Sequence, residues 1–158
     1  MSPLTPVDLT RFIAQHGIAA ELVVPPVETP TVVAAAAALG IEPGQVIKSL
    51  LFLVVGEPVL MIASGAAPVD RGALAARFGV GKKQIKLADA ETVLRLTGYP
   101  IGGVPPFGHP APLPTLLDRA VLAWDAIYGG GGDERTLLRI APGELARVAG
   151  AEWVELGA

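Results

Sequence analysis

The fold of this chain is decided by the stretch Val46–Val55, whose sequence is VIKSLLFLVV. Apolar residues occupy both alternating faces of this stretch, which predicts a β-strand at the centre of a sheet and covered on both sides. Gly56-Glu57-Pro58 interrupts the apolar run and predicts a turn. The segment Pro58–Ala63 then returns as the second arm of a hairpin.

One charged residue lies within the predicted central strand. A period of two places Lys48 on the same face as Leu50 and Phe52, where an ammonium group needs either access to water or an anionic partner. Two interpretations stay open. Lys48 either extends outward to solvent from near a strand end, or it lines a pocket that receives a negatively charged ligand.

Helices and further strands are predicted on both sides of the hairpin. Thr5 and Pro6 begin a first helix, and Thr29-Pro30 begins a second, in which Ala36 and Ala37 suit close packing on a sheet. The predicted helices continue with Arg71–Phe78 after Asp70, Asp89–Leu96, and Pro142–Val148, which Ala141 or a nearby residue caps. The remaining predicted strands are Ile18–Val24, Leu113–Leu117, Trp124–Tyr128, Thr136–Ile140 and Trp153–Leu156. The order of these elements mixes hairpins with crossovers, which predicts a mixed rather than doubly wound sheet.

Composition limits the class of protein. At 158 residues, without a shift in composition, residues 1–158 are expected to form one domain. Hydrophobic residues make up 51% of the chain, yet no apolar run reaches the ~20 residues of a membrane span. Because Met1–Pro6 lacks the features of a signal peptide, we expect a soluble, cytoplasmic protein. With no cysteine, disulfides, thiol nucleophiles and thiolate metal sites are excluded.

A second informative stretch is Tyr99–Pro110, with the sequence YPIGGVPPFGHP. Its three glycines and four prolines exclude an α-helix. Gly102 and Gly103 would let the backbone approach a ligand with its amides free, while Pro105 and Pro106 stiffen the following turn. We interpret the stretch as the wall of a binding site, and a rigid connector between core elements is the alternative.

Two further segments allow more than one interpretation. The four glycines of Gly129–Gly132 could cradle a phosphate, but no Walker lysine follows them, and a flexible hairpin turn is favoured. Because the net charge is −3, a nucleic acid would have to contact a local basic patch. The single basic cluster is either a solvated face or a landing place for phosphates. Its members are Arg77, Lys82, Lys83, Lys86 and Arg95.

Several motifs follow one another in a characteristic order. They are Ala36–Gly40, Val46–Leu50, Thr97–Tyr99, Gly102–Gly108, Leu113–Thr115 with Asp118, and the glycine-rich hairpin. In this order, over nearly the whole chain, the sequence resembles the YbaK/ProX family of aminoacyl-tRNA deacylases, which are related to the editing domain of bacterial prolyl-tRNA synthetases. The resemblance implies an α/β fold in which a mixed, barrel-like β-sheet is surrounded by helices, with the substrate pocket at its mouth.

The resemblance also implies a reaction. Free-standing members of the family hydrolyse, in trans and without a metal or cofactor, the ester between a wrong, usually small, amino acid and the terminal ribose of tRNA. The implied partners are an aminoacyl-tRNA and an aminoacyl-tRNA synthetase. The chain departs from the bacterial Cys-tRNA(Pro) deacylase branch at Pro105 and over His109–Ala111, so that substrate is not assumed.

Site residues follow partly from the resemblance and partly from chemistry. By position, Lys48 corresponds to the functional lysine of the family, and Gly102 with Pro106 to its Gly-x-x-x-Pro loop. We predict that amides of Gly102 and Gly103 stabilise the developing oxyanion, that Lys48 anchors the terminal nucleotide, and that a ribose hydroxyl orients the water. The predicted substrate-binding residues are Ser64, Val104, Phe107, Gly108, His109 and Asp118, and the predicted tRNA contacts are Arg77, Lys82, Lys83 and Lys86.

Some roles and functions stay open at this point. His109 titrates near neutrality and is a candidate general base, with a surface histidine in a proline-rich turn as the alternative. Asp118 either holds the pocket or caps the turn after its strand. The leading function is a free-standing editing hydrolase. The alternatives are a catalytically silent module that binds tRNA ends, nucleotides or a synthetase, and a small-molecule esterase.

Overall fold

Residues 2–65 and 67–155 are described by the computed structural model, and they form five α-helices, eight β-strands and three short 3-10 turns. No helix in this part of the chain is both long and apolar enough to cross a membrane. The helices are α1 (Pro6–Gln15), α2 (Val32–Leu39), α3 (Arg71–Phe78), α4 (Ala90–Thr97) and α5 (Pro142–Ala149). The strands are β1 (Ala20–Val23), β2 (Ile47–Val54), β3 (Glu57–Ser64), β4 (Ile85–Leu87), β5 (Thr115–Asp118), β6 (Ile127–Gly130), β7 (Leu137–Ile140) and β8 (Glu152–Val154). The 3-10 turns are Pro43–Gln45, Lys82–Gln84 and Arg119–Ala123.

The hairpin of β2 and β3 is the longest strand pair in this part of the chain, and a two-residue turn closes it. Val54 pairs with Glu57, so the turn consists of Val55 and Gly56, with φ of 50° and 83°. Two consecutive positive φ angles are typical of the I′ turns that match the twist of a hairpin. The turn was therefore predicted one residue too late, because Glu57 and Pro58 already belong to β3.

Strand pairing produces a mixed five-stranded sheet and an antiparallel three-stranded sheet. The larger sheet has the order β4-β2-β3-β5-β8, with β2 antiparallel to both neighbours and β5 parallel to β3 and β8. The smaller sheet has the order β1-β7-β6. A parallel bridge between Val46 and Tyr128 joins the two sheets. The predicted mixed α/β fold is confirmed.

Both faces of the larger sheet are covered, as the apolar pattern of β2 predicts. On one face, Ile47 and Leu51 pack into a core with side chains of α1, α5 and the smaller sheet. On the other face, Phe52 and Val54 pack against Leu74 of α3. Because successive side chains of a strand point to opposite faces, a run that is apolar at every position fits this two-sided burial.

The boundaries of α2 differ from the prediction. The side chain of Thr31, rather than that of Thr29, caps the helix by accepting a hydrogen bond from the Ala34 N–H at 3.0 Å. The buried positions of α2 are Ala35 and Ala36, whereas Ala37 is exposed. Successive side chains are about 100° apart around a helix. The prediction of Ala37 as a packed residue was therefore wrong, because that position lies on the solvated face.

Several strand boundaries also need correction. The first strand begins at Ala20 rather than Ile18, because the Ile18 N–H donates to Ile13 at the end of α1. The strand predicted from Trp124 begins at Ile127, because the Trp124 N–H donates to Val121 in a 3-10 turn. Strand β4 was not predicted, since its three residues are too few to show a period. Three further strands were predicted at Leu113–Leu117, Thr136–Ile140 and Trp153–Leu156. The structure places them at Thr115–Asp118, Leu137–Ile140 and Glu152–Val154. Leu156 lies outside the described residues.

Candidate active site

A cavity of about 250 Å³ lies where the start of β2 meets the N-terminus of α2, the 102–104 segment and β6. Apolar side chains and backbone form most of its wall, and Lys48 is its single ionisable lining residue among those described. The residues that line it include Thr31, Val32, Lys48, Ser49, Gly102, Val104, Gly130 and Leu137. The structure therefore brings together three predicted site residues, Lys48, Gly102 and Val104.

Lys48 occupies this position because of the alternation within β2. Its backbone pairs with Ala63 of β3, and its side chain emerges half-buried at the end of the face on which Phe52 packs. Lys48 forms no ion pair with any residue of the described part of the chain. An ammonium group without a carboxylate partner beside an apolar wall favours an anionic or strongly polar ligand.

The loop opposite Lys48 is held rigidly. The side-chain hydroxyl of Thr97 donates to the Val93 carbonyl at 2.7 Å and accepts from the Tyr99 N–H at 3.1 Å. The Gly103 N–H donates to the Pro100 carbonyl at 3.0 Å, and the Gly103 carbonyl accepts from the Gly132 N–H at 2.9 Å. The expectation of a free Gly103 amide is thus wrong, because a turn already uses that donor.

The glycine run serves close packing rather than flexibility. Gly129 and Gly130 belong to β6, so the prediction of a turn that contains all four glycines is wrong. A β-carbon on Gly103 would lie 2.7 Å from the backbone nitrogen of Asp133, and one on Gly131 would lie 2.7 Å from the Thr136 carbonyl oxygen. Real β-carbons do not approach backbone so closely. The glycines let two backbone segments pack in direct contact behind the cavity.

The second half of the proline-rich loop faces elsewhere. Pro106, Phe107, Gly108 and His109 line a separate cavity of about 190 Å³, together with Phe12 of α1 and residues of α5. These four predicted site residues are therefore not assembled around the Lys48 cavity.

His109 has a partner within its own loop. Its Nε2 lies 2.8 Å from the Pro105 carbonyl oxygen. Because a carbonyl only accepts hydrogen bonds, the proton of the neutral ring lies on Nε2. Burial lowers the pKa of His109, although the bond to Pro105 acts in the opposite direction. This environment favours a neutral, positioned imidazole.

Ser64 and Asp118 form a structural contact. Asp118 is buried, and its carboxylate accepts hydrogen bonds from the Ser64 N–H at 3.2 Å and from the Ala120 N–H at 3.0 Å. The Ser64 hydroxyl donates to the Gly44 carbonyl at 2.6 Å. The capping alternative for Asp118 is confirmed. The pair ties the ends of β3 and β5 to the turn that precedes β2, and neither residue lines the Lys48 cavity.

The basic cluster lies away from the cavity. Arg77 pairs with Glu152 of β8, whereas Lys82, Lys83 and Lys86 are exposed. Lys86 pairs with Leu53 in the sheet, five residues along β2 from Lys48, which corresponds to about 17 Å at the rise of a strand.

Sequence reasoning missed two features of the cavity. Ser49 lines the cavity, and its hydroxyl is buried without a hydrogen-bond partner among the described residues. A serine beside the lysine of an otherwise apolar strand was the available signal. An adjoining cavity of about 200 Å³ shares Gly102 and includes Glu28, Glu134 and Arg135. A guanidinium nitrogen of Arg135 lies 4.0 Å from a carboxylate oxygen of Glu28. This ion pair connects the loop before α2 to the connection between β6 and β7.

The fold is that of a tRNA-editing domain. A crystal structure described as a "putative trans-editing enzyme for prolyl tRNA synthetase" superimposes with a TM-score of 0.89 at 34% identity, over 97% of this chain and 96% of that chain. The crystal structure of hypothetical protein APE2540 superimposes with a TM-score of 0.85 at 32% identity, over 96% of this chain and 99% of that chain.

The chain belongs to the aminoacyl-tRNA editing domain family, whose model matches residues 26–148. The uncharacterized protein YwhH of Bacillus subtilis (strain 168) is 28% identical over 128 residues, which is 80% of each chain. A proline–tRNA ligase of Maridesulfovibrio salexigens is 39% identical over 70 residues, which cover 44% of this chain and 12% of the ligase. The predicted resemblance is confirmed, and the family and its relatives support an editing role.

Proposed function

We propose that this chain is a trans-acting editing hydrolase that cleaves the ester of a mischarged aminoacyl-tRNA. The substrate carries a small amino acid of the Cys, Ala or Ser type, and tRNA(Pro) is the candidate tRNA because the relatives include prolyl-tRNA ligases. Residues 1–158 act as one unit in this proposal, in the cytoplasm and without a metal or cofactor.

The observation that carries the proposal is the cationic end of a small cavity. Lys48, which forms no ion pair with the described residues, lines the cavity together with Thr31 and Val32 at the start of α2. Because the N-terminus of a helix carries a partial positive charge, both features attract a phosphate or a developing oxyanion. Lys48 in this role anchors the phosphate or ribose of the terminal nucleotide.

The size of the cavity favours a small acyl group. Its volume of about 250 Å³ is below the ~300–1,000 Å³ that drug-sized ligands occupy. Val104 contributes to its apolar wall. The amino-acid side chain would enter here, while the rest of the tRNA stays outside. An apolar wall separates side chains that differ by one methylene by only about 1–3 kcal/mol, so more than one small amino acid is expected to react.

The chemistry requires few side chains. Water adds to the acyl carbon, the bond from that carbon to the ribose oxygen breaks, and the ribose oxygen takes a proton, which yields free amino acid and tRNA. The Gly102 amide, which has no acceptor among the described residues, is a candidate donor to the oxyanion, and such a donor contributes about 3 kcal/mol. Gly103 and Pro106 act instead by shaping the loop. A hydroxyl of the terminal ribose orients the water.

The remaining predicted residues act at a distance from the cavity. Ser64 and Asp118 position the start of β2 through the turn that contains Gly44. Phe107, Gly108 and His109 support the loop from its far side. The tRNA contacts fall to Arg77, Lys82, Lys83 and Lys86, none of which lines the cavity, so they would meet the acceptor stem rather than the reacting end.

The test is deacylation of tRNAs charged with Ala, Cys, Ser, Thr or Pro by wild type and by Lys48→Ala. We expect release of one or two of these amino acids, and a loss of about 100-fold or more in Lys48→Ala. Arg11→Ala is the matched control, because Arg11 is an exposed cation of α1 that pairs with Asp8 on its own helix. Its rate should equal that of wild type.

Other outcomes identify the alternatives. Undiminished hydrolysis by folded Lys48→Ala would remove Lys48 from the mechanism. Tight binding of charged tRNA without hydrolysis would identify a silent binding module, for which a synthetase partner would then be sought. Equal rates on charged tRNA and on a minimal aminoacyl ester would identify a small-molecule esterase.

A further inference from the structure

Strand β2 has an open edge inside the Lys48 cavity. β3 pairs with β2 along its whole length, but on the other edge β4 covers only Phe52–Val54. Val46 is bridged to Tyr128 of the smaller sheet. Between these two contacts, Ser49 has no strand partner on that edge within residues 2–65 and 67–155. Ser49 lines the cavity.

The direction of the Ser49 backbone follows from its neighbours. The Leu51 carbonyl accepts from the Ala88 N–H at 2.9 Å, on the side of β4. The Val46 carbonyl accepts from the Gly65 N–H at 2.8 Å, on the side of β3. Because backbone groups alternate in direction along an antiparallel strand, Ser49 points both its N–H and its carbonyl away from β3, toward the open edge.

The side chain of Ser49 adds an independent observation. Its hydroxyl is buried and has no hydrogen-bond partner among the described residues, and it is the one buried side-chain polar atom there in this condition. Leaving a buried polar group unpaired costs about 1–3 kcal/mol. A group retained at that cost in the wall of a cavity is expected to meet a ligand or the water that the ligand displaces.

We propose that Ser49 binds the aminoacyl group of the substrate as a one-residue extension of the sheet, an inference that rests on the proposed function. Two residues that face each other in an antiparallel pair exchange both N–H and carbonyl bonds. An α-amino ester carries an N–H donor and a carbonyl acceptor on one carbon, as a strand residue does. The substrate ammonium donates to the Ser49 carbonyl, and the Ser49 N–H donates to the acyl oxygen.

This arrangement gives Ser49 a positioning and a stabilising role. The acyl oxygen held by the Ser49 amide becomes the oxyanion when water adds. Ser49 therefore supplies the donor that Gly103 cannot, because the Gly103 amide is bonded to Pro100. Because the Ser49 hydroxyl is buried, it accepts a further N–H of the substrate ammonium only after rotation about its Cα–Cβ bond toward the cavity. Recognition requires a free α-amino group, so acyl groups without one are rejected.

The experiment compares two stable amide-linked analogues of aminoacyl-adenosine, one alanyl and one propionyl, which lacks the amine. By calorimetry, we expect wild type to bind the alanyl analogue roughly 10- to 100-fold more tightly, as for a hydrogen bond to a charged group. Ser49→Pro removes an amide that β3 does not use, and should abolish this preference. Ser49→Ala keeps the amide and should retain part of the preference for the alanyl analogue.

A second measurement does not depend on the folding of a variant. Amide hydrogen exchange at Ser49 in wild type should slow when the alanyl analogue binds, whereas exchange at Gly103, which is already bonded, should change little. Equal binding of the two analogues, or unchanged exchange at Ser49, would overturn the inference. If the tRNA panel is inert but the alanyl preference is present, the hydrolase proposal fails and the Ser49 site stands.

Discussion

Gly130 of β6 lies directly against the backbone of Val104, so that a β-carbon on Gly130 would stand 2.7 Å from the Val104 carbonyl carbon. Both residues line the Lys48 cavity. We expect Gly130→Ala to destabilise the fold by about 3 kcal/mol, because two backbone segments would have to separate. Urea unfolding followed by circular dichroism measures this change.

Gly143 of α5 is the matched control for that substitution. A β-carbon there would meet nothing within 4 Å. Since alanine is the better helix former, Gly143→Ala should stabilise the protein by about 0.5–1 kcal/mol. Equal effects at the two glycines would contradict the packing explanation.

Asp118 is expected to contribute to stability through the backbone groups that it accepts. Asp118→Ala would leave the Ser64 and Ala120 N–H groups without their acceptor, at a cost of about 3 kcal/mol. Asp118→Asn keeps one acceptor oxygen and should cost about half as much. The midpoints of urea unfolding report both changes, and a wild-type midpoint for Asp118→Ala would disprove the assigned role.

The stability of the protein should fall as the solution is acidified through the range of histidine. Burial lowers the pKa of His109 from its ordinary value of 6.5, so the unfolded chain binds its proton first. The contribution of neutral His109 to the free energy of unfolding is complete above pH 6.5, and it is lost as the pH falls through the lowered pKa. In thermal melts between about pH 7.5 and 5, the melting temperature of wild type should decrease with pH. The decrease should be smaller in His109→Gln.

The control for this pH dependence is the other histidine of the chain. His16 is exposed at the end of α1 and stacks on Phe12. His16→Gln should keep the decrease that His109 causes. A decrease of unchanged size in His109→Gln would assign the pH dependence to other groups.

The basic cluster should affect the salt dependence of tRNA binding. Replacing Lys82, Lys83 and Lys86 together by Gln should weaken binding and reduce the slope of log K against log salt by roughly 2 to 3, if each lysine contacts one phosphate. Arg77→Gln should change the slope less, because Arg77 is already paired with Glu152. An unchanged slope in the triple variant would show that the lysines are a solvated face.

Helix starts and the central hairpin were predictable because their signals are local. Asp70 and Asp89 cap α3 and α4 through N–H groups three residues ahead, at 3.1 and 2.9 Å. Pro6 and Pro142 each occupy the first turn of a helix, as predicted. A capping signal does not locate the start of a helix when two candidate caps lie close together, as Thr29 and Thr31 do. Only the surrounding packing then decides which threonine caps the helix.

Part of the candidate site was predictable for a similar reason. Lys48 was identified because a charge in an apolar strand is exceptional at any position of the fold. Pro106 and His109 follow Gly102 closely in sequence, but the loop turns between them. Gly102 lines the Lys48 cavity, whereas Pro106 and His109 line a different one. Proximity in sequence does not determine which way a loop faces once it passes between packed elements.

The sequence by itself determined the α/β class, the central β2–β3 hairpin and most helix starts, and it singled out Lys48 as a candidate site residue. These properties depend on alternation, capping and turn chemistry over a few neighbouring residues. Only the tertiary structure decided that the Gly103 amide is already bonded and that Ser49 faces the cavity with groups that no described residue pairs. Hydrogen-bond partners and cavity walls are set by residues distant in the chain, so the free donors of the site become visible only when the sheets and loops have packed.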